Sequence, residues 1–70
     1  MRAFGEVLSE AMREKGVTAK ELSDLSGVSQ PHISQIVRGK VVDPSFLRAA
    51  ALIKALGLTL DEFSKLQDAD

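Results

Sequence analysis

Four times in this chain a Thr, Ser or Asp stands just ahead of an apolar, helix-spaced segment, flanked by hydrophobic residues that could clasp across it. Thr18 is followed three residues later by Glu21, with Val17 before it and Leu22 after. Ser29 has Val28 before it and Ile33 after. Asp43 is followed by Pro44, with Val42 placed to face Leu47. Thr59 is followed by Glu62, with Leu58 and Phe63 on either side. The first backbone N–H groups of a helix have no partner inside it, so a short oxygen-bearing side chain at that point accepts from them. A Glu three residues on can return the bond, and an apolar pair across the cap fixes the angle at which the chain enters. Proline at a first helical position loses nothing, because its missing N–H would have been unpaired anyway. Four such starts commit most of the chain to helices and leave little room for strands.

A fifth helix precedes them. Phe4, Val7, Leu8, Ala11 and Met12 fall on one stripe of 3.6-residue period. Gly5 is expected to weaken this helix by ~1 kcal/mol relative to alanine. Gly16 is expected to stop it, with Arg13 and Lys15 suitably placed at its negative end. The fourth helix, about 44–56, is apolar almost all round, interrupted only by Ser45, Arg48 and Lys54. Such a helix sits in the middle of a bundle or has a face left over for a partner. Gly57 ends it, and the last helix, about 60–66, offers Leu60, Phe63 and Leu66.

The chain has 70 residues, 44% of them hydrophobic, and no cysteine. One all-α domain over residues 1–70 is the expectation, marginally stable because a chain this short hides only about 60% of its unfolded surface. Disulfides and thiolate metal sites are excluded. No apolar run approaches the length of a membrane span, and charge interrupts the N-terminal segment, so neither a membrane helix nor a signal peptide is expected, and a cytoplasmic location is. The formal net charge is −1. Its distribution is uneven: residues 1–40 hold six Lys/Arg against five Asp/Glu, and residues 41–70 three against five. The chain has a single histidine, no recognisable nucleophile–base pair and no glycine-rich phosphate loop, so an enzyme is not expected, nor any metal, cofactor or small-molecule ligand.

The most unusual stretch is "GVSQPHISQIVRGK", Gly27 to Lys40. On a helical wheel Ile33, Ile36 and Val37 point one way, and Pro31, Ser34, Gln35 and Arg38 the other, with Gln30 at the tip. Two short helices joined by a glycine turn outline a helix-turn-helix, about 18–38. Leu22, Val28, Ile33 and Ile36 would hold the pair together, with Ser23 small at the close approach and Gly27 free to take positive φ. An outward face of amides and hydroxyls can read bases without adding charge, and a glutamine amide can both donate to N7 and accept from N6 of adenine.

The segments "ELSDLSGVSQPHISQIVRGK" and "DPSFLRAAALIKALGLTLDEF" resemble the lambda-repressor-like, Cro-type helix-turn-helix regulators, over roughly residues 4–66. The resemblance implies a five-helix DNA-binding domain whose third helix enters the major groove of double-stranded DNA, as a homodimer and a transcriptional regulator, a repressor by expectation. It implies that Gln30, Pro31, Ser34 and Gln35 face base edges. It puts Ser29 and His32 at the DNA backbone or the turn, and Arg38 and Lys40 at phosphates. Family members often carry a phosphate-gripping glutamine at the start of the second helix. Here Ala19 stands there, and Lys20 beside it is the expected substitute. Leu60, Phe63 and Leu66 are candidates for a dimer interface. The acidic "VVDPS" loop and weak net charge keep a rival open, a helix-turn-helix used for protein contacts, and the segment could equally be the DNA-binding head of a longer regulator.

Overall fold

The computed structural model describes residues 2–41 and 44–69. Among them are five α-helices and no strand: α1 Phe4–Lys15, α2 Ala19–Ser26, α3 Gln30–Val37, α4 Phe46–Ala55 and α5 Leu60–Asp68. α1 packs on α3 and α5, α2 on α3 and α4, and α4 on α5.

The helix starts follow the local chemistry closely. Thr18 and Glu21 form a reciprocal box: the Thr18 Oγ1 accepts from the Glu21 N–H at 3.1 Å, and the Glu21 Oε1 accepts from the Thr18 N–H at 3.0 Å. Thr59 and Glu62 repeat it at 3.0 and 2.8 Å. Ser29 caps α3 by accepting from the His32 N–H at 3.3 Å, and Pro31 lies in the first turn, where no N–H is needed. At the other end of α1, Gly16 adopts φ 67° and the Val17 N–H turns back onto the Met12 carbonyl at 2.9 Å.

α4 departs from expectation. Ser45 caps it, accepting from the Arg48 N–H at 3.3 Å, so the helix begins at Phe46 and Pro44 stands before the cap rather than at the first helical position. Asp43 and Val42, the expected cap and staple, lie outside the described residues. A serine two residues nearer the helix than Asp43 takes the extended conformation, ψ 154°, that a cap requires. Leu47, expected to face Val42, is 79% exposed, and Phe46 beside it 72%.

The core has two parts. Leu8, Ala11, Leu22, Val28, Ile33, Ile36, Leu52 and Leu56 form the larger cluster, which joins the helix-turn-helix to α1 and α4. Val7, Ile53 and Phe63 form the smaller one under α5, with Phe4 half-buried against both. Phe63 is only 2% exposed, and its ring centroid lies 5.0 Å from that of Phe4. It is therefore removed from the candidate dimer surface: its ring fills the space between α1, α4 and α5. Leu60 and Leu66 stay partly outside, each 40% exposed. The first and last helices are clasped together, the Arg2 N–H donating to the Gln67 carbonyl at 2.8 Å and the Gln67 Nε2 to the Arg2 carbonyl at 3.1 Å. The Arg2 side chain also pairs with Glu6, at 3.2 Å, and with Glu10.

Candidate nucleic-acid interface

The helix-turn-helix is assembled from α2, a three-residue turn and α3. α2 ends at Ser26, and Gly27 takes φ 79° while its N–H closes on the Ser23 carbonyl at 2.9 Å. A side chain at position 27 would be strained in that conformation. The Val28 N–H, next in line, donates to the Ser26 Oγ at 3.1 Å. That bond was not anticipated, although a serine two residues before a buried apolar residue in a glycine turn is its local signature. With the turn's donors satisfied, Val28 is buried beside Leu22, Ile33 and Ile36, and Ser23 is half-buried. The two helices are thus locked together by one continuous apolar seam.

The outward side of α3 is what the wheel led one to expect. Gln30, Pro31 and Gln35 are exposed and Ser34 is half-exposed, while Ile33 and Ile36 are fully buried. The face carries two amides, a hydroxyl and a proline ring, with no charge of its own. Beyond α3 the chain folds back on the helix end. The Gly39 N–H donates to the Ile36 carbonyl at 3.0 Å, and the Lys40 N–H to the Gln35 carbonyl at 2.9 Å. Gly39 makes this possible with φ 81°. The turn holds Arg38 and Lys40, both exposed, at the edge of the polar face. Lys20 is exposed at the start of α2. None of these three cations forms an ion pair among the described residues, whereas Arg2 and Lys65 do. Unpaired cations bordering an uncharged hydrogen-bonding face suit a polyanion whose bases are to be read.

Ser29 and His32, expected at the DNA backbone or the turn, both have local roles in the turn. The Ser29 hydroxyl is engaged as acceptor from His32, which leaves only its proton for a ligand. His32 is half-buried, and its Nε2 is turned inward, with no hydrogen-bond partner among the described residues. That nitrogen does not face the outer side, so His32 belongs to the inside of the turn. Acidic groups mark the boundary of the face: an open groove of about 570 Å³ between α1 and the turn after α3 is lined by Glu6, Glu10 and Glu14 as well as Arg13 and Arg38.

A capped helix pair with a glycine turn, set in a five-helix bundle and presenting a neutral polar helix face edged by cations, defines a helix-turn-helix domain of the kind that binds DNA. Residues 8–63 match the helix-turn-helix family model, and the chain belongs to that family, in its lambda-repressor-like branch. It is 36% identical over 61 residues to the HTH-type transcriptional regulator PuuR of Escherichia coli, covering 87% of this chain and 32% of that protein. It is 32% identical over 62 residues to the trifunctional NAD biosynthesis/regulator protein NadR of Salmonella typhimurium, covering 89% of this chain and 14% of that one. The Escherichia coli NadR matches at 32% over 53 residues, 76% of this chain and 13% of the relative. The chain therefore spans a third or less of the curated relatives it matches.

Proposed function

We propose that this domain, residues 1–70, binds double-stranded DNA sequence-specifically and regulates transcription, as a repressor, with α3 in the major groove. One observation carries the reading: the outer face of a proline-led α3 offers neutral hydrogen-bonding groups at its centre and free cations at its rim. Gln30 and Gln35 read adenine edges, Ser34 adds a hydroxyl contact, and Pro31 packs on a thymine methyl. Lys20, Arg38 and Lys40 hold phosphates, and the Ser29 proton is directed to one as well. The names of the relatives, a transcriptional regulator and a trifunctional NAD biosynthesis/regulator protein, support regulation for the shared domain. This chain matches only 14% of the Salmonella NadR sequence, and no catalysis is assigned to it.

Phosphate contacts dominate affinity, and three cations are few. The domain therefore acts as a homodimer on half-sites one helical turn apart, ~34 Å, with Leu60 and Leu66 of α5 as candidate contacts. Cytoplasmic placement follows from this role, and no described helix is long and apolar enough to cross a membrane. A second reading, docking to another protein, is favoured by Phe46 and Leu47, the two most exposed large apolar side chains among the described residues.

Selection from a random duplex pool by the purified domain at low salt tests the proposal. An enriched palindrome with A·T pairs at fixed positions supports it. A single half-site supports the DNA reading and removes the dimer. Absence of enrichment, together with absence of salt-sensitive retention, sinks the DNA reading in favour of the second.

A further inference from the structure

Five glycines occur in the chain, and four of them take positive φ at helix ends, where an added Cβ would meet nothing within 4 Å. Gly5 is the exception. It lies in the first turn of α1 and is buried. A Cβ there would land on the Ile36 carbonyl oxygen, well inside contact distance, 3.0 Å from the Ile36 carbonyl carbon and 3.4 Å from the Val37 Cα. All three atoms are backbone, so no rotamer change could make room. α1 and the last turn of α3 therefore meet main chain to main chain, with a Gly5 Cα–H directed at the Ile36 carbonyl, a weak but recurrent contact between helices.

The same Ile36 carbonyl accepts the Gly39 N–H that starts the turn carrying Arg38 and Lys40. On its other side, the first turn of α1 is clasped to α5 through Arg2 and Gln67 and stacked on Phe63 through Phe4. We infer that Gly5 is a positioning residue for DNA binding: it seats the C-terminal end of α3, and so fixes where Arg38 and Lys40 stand relative to the base-reading face and to Lys20. A methyl group at position 5 pushes the end of α3 away from α1 while the seam through Ile33 and Leu22 retains the other end. The displacement is felt most by the phosphate-facing cations. This inference rests on the DNA-binding reading above.

The test compares wild type, Gly5→Ala and Ile53→Val on a short random-sequence DNA duplex, with binding measured across a salt series under conditions where each protein is folded. Ile53 is buried with Val7 and Phe63 in the smaller core cluster, so its truncation lowers thermal stability without touching α3. The expected result is that Gly5→Ala lowers the slope of log affinity against log salt by about 1–2 units, the loss of one or two phosphate contacts. Ile53→Val leaves the slope at the wild-type value. Amide spectra of the free proteins give a reading independent of DNA, with Gly5→Ala shifts concentrated at residues 36–41. Wild-type slope and undisturbed 36–41 amides in folded Gly5→Ala overturn the inference, as does an equal slope loss in Ile53→Val. If wild type itself retains no duplex, the DNA reading fails, and the 36–41 amides alone decide whether Gly5 seats α3. Should Gly5→Ala unfold, it is measured in an osmolyte that favours burial. A chain unfolded even there overturns the positioning role, because Gly5 would then be a requirement of folding.

Discussion

Thr18→Ala isolates the contribution of one capping side chain. α2 has only eight residues, too short to persist without its caps and its packing. The substitution removes the Oγ1 that accepts from the Glu21 N–H at 3.1 Å and leaves that donor to water, while the return bond from the Thr18 N–H to the Glu21 Oε1 stays possible. Loss of such a cap costs about 1 kcal/mol, within a range of roughly 0.5–2. For a chain of this length the unfolding entropy is about 0.15 kcal/mol/K, so the same loss appears as a fall in Tm of about 7 °C. The assay is thermal unfolding followed by circular dichroism at neutral pH. Thr59→Ala is the companion, because its box has nearly the same geometry at a helix remote from the turn. Both should fall by similar amounts. A Thr18→Ala protein melting within about 2 °C of wild type would refute the assignment, since the cap would then contribute less than the smallest measured values.

Other substitutions bear on pH dependence, the site and the seam. The Thr18 and Thr59 N–H groups hold the Glu21 and Glu62 carboxyls below the ordinary carboxylate range. Folded values below unfolded ones mean stabilisation that is present above the ordinary range and lost as pH falls through the folded values. Glu21→Gln with Glu62→Gln should therefore shallow the acid-side fall of Tm, and an unchanged acid limb would contradict the linkage. Gln35→Ala should relax preference at one base pair by ~1–3 kcal/mol, whereas Lys40→Ala should weaken all duplexes alike and lower the salt slope by about 1. A base profile untouched by Gln35→Ala would remove that residue from the reading face. Ile33→Ala, at a fully buried position, should cost ~2–5 kcal/mol, against a total of ~4–10 for a domain of this size. Denaturant melts should show the unfolding free energy reduced by that amount, and a loss under about 1 kcal/mol would mean that Ile33 does not anchor the seam.

What was legible in the sequence was what is decided within four residues. Thr18, Ser29 and Thr59 announce caps because the acceptor and its N–H donor lie on the same short segment. The outward side of α3 was legible for the same reason, since helical spacing alone separates Ile33 and Ile36 from Ser34 and Gln35. Misreadings arose where two local signals compete or where the partner is distant. Asp43–Pro44 looked like a helix start, yet Ser45 one residue later does the capping. Phe63 sits on a stripe that could have faced either way, and only the meeting of α1, α4 and α5 turns it inward. Gly5 looked like a weakness of α1 because its reason lies on Ile36, 31 positions away in the chain. The inward turn of the His32 Nε2 is likewise a matter of packing that no spacing rule reports.

The clasp between Arg2 and Gln67 has a topological consequence. It brings the beginning and the end of the described fold to one spot, tied by two hydrogen bonds. A short linker could join them and new termini could be opened elsewhere, for instance between α4 and α5, with every helix keeping its neighbours. By the same geometry, a partner domain grafted upstream or downstream would emerge from the same pole of the bundle. Moving such a grafted domain from one end to the other would then leave the helices where they are.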